Sequence, residues 1–308
     1  MRFMKMLMAC FLVLILSFSS LTPAFAAASI RETDVANATE GNCLVTVTGT
    51  YSGNLTKALK LINKYRKEAC DKNYINPSTG KKLKSSDYTP IKASKALCWI
   101  AETRAAEATV VSSHTRPNGS SCFTAKYGGV QSWGEVLAWN GTGLLYGIKQ
   151  WYGEKKDWVN QNSNAVTGHY TQMIDPDNKF VGLGCFRLST GGYYAAAGEF
   201  SSYENLTKCN KLTKGKRRQV IEIEASKVTV TTSKMTLGLS QTKTFKPNVS
   251  IGGVHSGKLY KVDSLVSSDD TVVKITKSGK LKTIGVGTAV VKVTYGGDKT
   301  KRVKVFVE

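Results

Sequence analysis

The chain has 308 residues, with 43 Lys and Arg against 22 Asp and Glu, a formal charge of +21. With 41% hydrophobic and 21% charged residues, the composition is that of an ordinary globular protein, which excludes a wholly disordered, collagen-like or polytopic membrane chain. The length predicts about two domains, each large enough for its own core.

Residues 1–26 read as an export signal: Arg2 and Lys5 precede an apolar run from Met6 to Leu16, and the stretch ends in Ala24-Phe25-Ala26. No later segment has about 18 uninterrupted apolar residues, so no transmembrane segment is expected after signal removal, and the mature protein is expected to be secreted. Leu7-Met8-Ala9-Cys10 faintly resembles a lipoprotein box, but most of the apolar run follows Cys10, the wrong order for lipidation. After an N-terminal extension at 27–54, Leu55, Leu59, Ile62, Tyr65 and Ala69 recur at helical spacing and predict an amphipathic helix over 55–69. A second helix is predicted from Lys95 to Val111, with Leu97, Ile100, Ala101, Ala105 and Ala108 on one side and Glu102, Arg104 and Glu107 on another. A third runs from Leu144 to Glu154. Strands at Phe180–Leu188 and Tyr193–Phe200 then suggest a hairpin across Thr190-Gly191-Gly192.

The composition changes near residue 210. Lys211 to Arg218 is basic and polar, and residues 211–225 read as a linker. Beyond it, residues 226–308 contain neither Cys nor Trp, and Val291, Val293, Tyr295, Val303, Val305 and Val307 alternate with polar residues, the pattern of strands with one wet face. Residues 27–210 carry 21 basic and 15 acidic groups, whereas 211–308 carry 20 and 7. The lysines of the second block serve either solubility or an anionic partner.

Six cysteines follow the signal, at 43, 70, 98, 122, 185 and 209. In an oxidising compartment pairing is the default expectation, and Cys43 and Cys209 could tie the ends of one domain together. The alternative is a set of buried unpaired thiols. The tryptophans Trp99, Trp133, Trp139, Trp151 and Trp158 are expected in the core rather than as a stacking surface for sugars. His255, between Val254 and Ser256-Gly257, reads as an exposed loop residue. No Gly-x-Ser-x-Gly elbow supports a serine nucleophile.

His114 and His169 sit in Ser113-His114-Thr115-Arg116-Pro117-Asn118-Gly119 and Gly168-His169-Tyr170-Thr171-Gln172. With Trp133-Gly134-Glu135, Gln150-Trp151-Tyr152-Gly153-Glu154 and Gly182-Leu183-Gly184-Cys185, residues 55–202 resemble the CAP superfamily of cysteine-rich secretory proteins, antigen 5 and pathogenesis-related proteins, in its bacterial secreted branch. The resemblance implies an α+β fold, a three-layer α-β-α sandwich over 55–210, whose cleft is lined by His114, Glu135, Glu154 and His169, with Tyr170 and Gln172 beside them as ligand-binding candidates. Val136, where the family usually has asparagine, and Asp175, where a tryptophan is usual, depart from its pattern, and its second signature is barely recognisable in Tyr193–Phe200.

Two imidazoles and two carboxylates offer donors that suit zinc or another divalent metal. The same four groups could transfer protons, or could satisfy one another as a structural network. A second resemblance, in Ser267-Ser268-Asp269-Asp270-Thr271-Val272-Val273, Ser278-Gly279-Lys280-Leu281 and Gly285-Val286-Gly287-Thr288-Ala289, is to group 2 bacterial immunoglobulin-like domains and implies a small all-β immunoglobulin-like sandwich over 226–308. The expectation is a secreted protein whose cleft binds a divalent metal or a small ligand, an apolar one among the candidates, held near an anionic cell-wall polymer or acidic glycan by the basic module. Deleting residues 211–308 should then release it from cell envelopes. Nucleic acid is not expected as a partner, since no aromatics interleave the basic residues. An extracellular hydrolase, metal-dependent or using a general base, is the alternative.

Overall fold

The computed structural model describes residues 28–308; the expected export signal and Cys10 lie outside the described residues. Helix α1 (Leu55–Asp71) starts where the Asn54 side chain accepts the Lys57 amide, and its buried stripe of Leu55, Ala58, Ile62, Tyr65 and Ala69 follows the predicted spacing. Helices α2 (Lys95–Ala108), α3 (Leu144–Gly153), α4 (Lys155–Val159) and α5 (Gly168–Ile174) follow. The strands Phe180–Leu188 and Tyr194–Ser201 form the predicted hairpin. Strand Gly134–Asn140 pairs with Tyr194–Ser201, and strand Asn42–Tyr51 pairs through its last residues with Phe180–Leu188.

Alternation along Phe180–Leu188 sorts the helices onto two faces. Val181, Leu183 and Cys185 share a core with Ile62, Ile148 and Met173 of α1, α3 and α5. The other face carries Gly182 and Gly184, where a Cβ would fall 2.0 Å from the Leu97 carbonyl oxygen and 2.3 Å from that of Ala101. Glycine at these positions lets the backbone of α2 lie directly on the strand.

The predicted polar side of α2 is not wet. Glu102, Arg104 and Glu107 are all buried, so the helix is enclosed on every side and its charges must pair internally. Among the tryptophans, Trp151 is core, whereas Trp133 is 58% exposed, which corrects the expectation that all five are buried. His255 is the half-buried first residue of a strand rather than a loop residue.

The expected linker is also corrected. Residues 215–224 form a ten-residue strand paired along its whole length with Asn42–Tyr51, so neither the N-terminal extension nor the linker is a connecting segment. The other edge of Asn42–Tyr51 takes His255–Leu259, which pairs with Asn248–Ile251 and through it with Val228–Val230. One sheet of ten strands thus runs through the expected boundary at 226. Its shared core joins Val45, Val47, Ile221 and Ile223 to Val228, Val249, Ile251 and Leu259. The remaining C-terminal strands form a four-stranded and a three-stranded sheet around Val273, Leu281, Val291, Val293, Val303 and Val305. The region is built of strands, as its alternation predicts; it has a core of its own around Val273 and Val291, while Val228, Val249, Ile251 and Leu259 belong to the core shared with the long sheet.

The expected disulfides are absent among the described residues: all six cysteines are buried and unbonded. They are spread through the interior, with Cys43 in the core of the long sheet and Cys209 in the core under α1, so the anticipated bridge between those two does not form. The Cys98 thiol beside Cys209 holds the Cys209 thiol down at about 7.

Candidate functional site

The loop after α2 carries His114, and its position is set from beneath. Arg104, with no exposed side-chain surface, donates from Nη2 to the carbonyl oxygens of Ser113 at 3.0 Å and His114 at 3.5 Å. The same guanidinium donates from Nε to Glu135 Oε2 at 2.5 Å and from Nη1 to Glu107 Oε2 at 2.6 Å. Glu135 lies on strand Gly134–Asn140, and its Oε1 meets His114 Nδ1 at 2.7 Å. Burial alone would raise the Glu135 carboxyl, but the hydrogen bonds from His114 and Arg104 hold it below the usual carboxylate range.

The network continues inward. Glu107 accepts from Arg116, and Arg116 forks onto Asp34 at 2.7 and 2.8 Å. Glu199, opposite Glu135 on the neighbouring strand, is fully buried and accepts from Ser132 Oγ at 2.5 Å. Burial, and then the negative charge of Glu135, push its carboxyl well above the usual range. Its other oxygen has no hydrogen-bond partner among the described residues.

The second histidine is built the same way from other elements. Glu154 caps α3, and its Oε2 accepts the backbone amides of His169 at 2.8 Å and Tyr170 at 3.1 Å, at the start of α5. Its Oε1 meets His169 Nδ1 at 2.5 Å. The rings of His114 and His169 lie 6.5 Å apart between centroids. Their Nδ1 atoms are taken by carboxylates, and neither Nε2 has a hydrogen-bond partner among the described residues.

The structure therefore brings His114, Glu135, Glu154 and His169 together, although intervals of 21, 19 and 15 residues along the chain could not have placed them. Of the other two candidates, Tyr170 is not available to a ligand. Tyr170 is fully buried against Tyr152 with its hydroxyl unpartnered, so it belongs to the core. Gln172 is half-buried, accepts from Asn178 and lies over Gly134, where a Cβ would come within 2.1 Å of its Oε1. The site is open rather than a deep cleft: His114 keeps 56% of its side chain exposed, and the prominent cavities are lined by other residues.

As a metal site the residues divide sharply. His114, Cys122 and Glu135 offer ligand atoms within 4.8 Å of one another. Glu135, however, is already neutralised by Arg104, whose positive charge repels a cation there. The Cys122 thiol is pushed up to about 12 by burial and by Glu135 and Glu199, so it stays protonated. The two Nε2 atoms fit better, each on a ring oriented by a carboxylate at Nδ1, the arrangement found behind metal-bound histidines. The glutamates thus stand behind the imidazoles rather than beside them as ligands, unlike the four-ligand set anticipated.

Residues 59–201 match the model of the cysteine-rich secretory protein family, CAP. This part of the chain is a CAP domain. It holds the whole quartet, while Asn42–Tyr51, Gly215–Glu224 and the C-terminal strands lie outside the matched segment. Among solved structures, that of Schistosoma mansoni venom allergen-like protein 4 is similar at 19% identity, with a TM-score of 0.35, over 51% of this chain and 94% of that one. No curated protein matches the chain. No helix among the described residues is long and apolar enough to cross a membrane. Arg104 and Glu107 of the CAP domain escape a reading of sequence because they look like the wet face of a helix. Their one signal is opposite charge at three residues' spacing in an alanine-rich stretch.

Proposed function

We propose that the chain is an exported binding protein. Residues 1–26 direct export; His114 and His169 hold a divalent cation such as zinc, or a small ligand, through their Nε2 atoms; and the basic C-terminal region keeps the protein near an anionic cell-envelope surface. The observation that carries this reading is the pairing of each Nδ1 with a carboxylate, at 2.7 and 2.5 Å, while both Nε2 atoms stay free on neighbouring rings. A carboxylate at Nδ1 fixes the tautomer, directs the Nε2 lone pair outward and makes it a better donor. A zinc ion held there would supply a Lewis acid to an oxygen of the bound ligand. Glu154 orients His169 and also holds the start of α5 in place. Exposed Trp133, one residue before Gly134, offers an apolar contact beside the site.

The same His-Glu pairs support an alternative reading as general bases of an extracellular hydrolase. Binding is favoured because the quartet is fully accounted for by positioning, and the Cys122 thiol near His114 stays protonated. Calorimetric titration of zinc into the full chain tests the proposal. Wild type is expected to take up one ion per chain, His169→Ala to lose that uptake, and Glu154→Gln to weaken it by about 10- to 100-fold. Equal uptake by all three proteins would defeat the metal reading. Hydrolysis of a peptide or wall fragment by wild type, lost in His169→Ala but kept in a surface variant, would favour the enzyme.

A further inference from the structure

A groove of about 660 Å³ lies away from the histidines, on the outer face of the long sheet. Strand register explains its chemistry. On Asn42–Tyr51 the odd residues Val45 and Val47 point into the core, so Thr48 and the buried Thr46, whose hydroxyl donates to the Lys258 carbonyl oxygen at 3.3 Å, lie on the opposite face at the groove. Thr48 faces Arg218, and Thr46 faces Lys258 on the opposite side. Asn248 pairs with Lys258 and Ser250 with Ser256, and all four line the groove. Lys216, two residues before Arg218, and the loop residues Ser189 and Thr190 complete it.

The lining thus presents three cations, a row of hydroxyls and an amide, with no acidic residue and no aromatic ring. Arg218 is held by the carbonyl oxygen of Ala28, which accepts from its Nε at 2.8 Å, leaving the two terminal nitrogens of the guanidinium for a ligand. None of Lys216, Arg218 and Lys258 has an ion-pair partner among the described residues. The nearby acid Glu32 instead accepts from Tyr260. The Lys246 ammonium, beside Arg218, is lowered by burial and by the Arg218 charge, with Glu32 acting in the opposite direction. Adjacent strands are spaced by about 4.8 Å and alternate residues by about 7 Å, so the three cations spread over the face instead of forming one point site.

We propose that this groove binds a linear acidic polysaccharide, its carboxylate or phosphate groups on Lys216, Arg218 and Lys258 and its hydroxyls on the Ser, Thr and Asn side chains between them. The proposal rests on the envelope-binding part of the function above and gives that part a site. Unlike the basic C-terminal surface at large, the groove is composite: Thr46, Thr48, Lys216 and Arg218 precede residue 226, and Asn248, Ser256 and Lys258 follow it. Single-stranded nucleic acid fits poorly, because nothing in the groove can stack on a base.

The test is binding of the full chain to fluorescent polygalacturonate, with neutral dextran and single-stranded DNA of matched charge as comparison probes. A variant carrying Lys216→Glu, Arg218→Glu and Lys258→Glu is compared with one carrying Lys274→Glu, Lys277→Glu and Lys280→Glu, exposed lysines outside the groove with the same change in net charge. The groove variant is expected to lose about tenfold or more in affinity, and the slope of log affinity against log salt to fall by about three contacts, while the other variant stays near wild type. The glutamine versions at 216, 218 and 258 should weaken binding in the same direction. Equal losses in both charge variants would overturn the groove in favour of diffuse attraction, as would preference for DNA or absence of polygalacturonate binding. Envelope retention tells the two proposals apart: retention by wild type and by the groove variant alike overturns the groove and keeps the tether, whereas no retention of wild type overturns the tether.

Discussion

Removing the Arg104 guanidinium would leave Glu107 and Glu135 buried without a counter-charge and the His114 loop without its donor. Arg104→Met is therefore expected to cost about 3–5 kcal/mol of stability, as breakage of buried pairs does, measured by urea unfolding. A loss below about 1 kcal/mol would mean that the carboxylates find other partners. Glu199 gives the opposite expectation. Its folded carboxyl titrates well above its unfolded one, so the native state loses stability as pH rises through the ordinary glutamate range toward the folded value. Glu199→Gln keeps the shape of the neutral acid, and should raise Tm at pH 8 and flatten its fall between pH 5 and 8; a lower Tm at pH 8 would show that Glu199 is ionised in the fold. At this scale the sequence discloses only what its phrases carry. His114, Glu135, Glu154 and His169 are found through family-like phrases, whereas Glu199 and Cys122 converge through strand register and a loop that no interval along the chain reveals.

Elements that bury one face and wet the other were readable. The stripe of α1, the apolar positions of α3 and the hairpin across Gly191-Gly192 follow from period and turn chemistry. Others were not. Strand Gly134–Asn140 is covered from both sides, so it shows no alternation, and Gly215–Glu224 opens with Lys216, Arg217 and Arg218, which look like a linker until paired. Contact between α2 and Phe180–Leu188 rests on the two glycines. Gly184→Val would drive a side chain into the Ala101 carbonyl and should destabilise by about 1–3 kcal/mol or more, the cost of overpacking, in the same urea assay. An unchanged midpoint would mean that the helix can move off the strand.

At the level of the whole molecule, the compositional boundary near residue 210 is genuine in sequence but does not divide the fold. Composition records which residues face solvent, and says nothing of which strand pairs with which. Asn42–Tyr51 needs Gly215–Glu224 on one edge and His255–Leu259 on the other, and the core beneath them is common to both halves. A fragment ending at residue 212 would bare both edges and much of that core, so it is expected to aggregate or to lack near-ultraviolet circular dichroism. A monomeric, cooperatively folding fragment would restore the picture of two independent modules. Removing residues 211–308 would for the same reason report on folding and not on tethering.

Two imidazoles, each backed by its own glutamate, are proposed to hold one cation through their Nε2 atoms. Anomalous diffraction at the zinc absorption edge, on crystals of the full chain soaked in zinc, measures this directly. A single peak is expected about 2 Å from Nε2 of both His114 and His169, with Glu135 still on Arg104. A peak bonded to Glu135 or Cys122, or zinc bound only elsewhere on the surface, would contradict it.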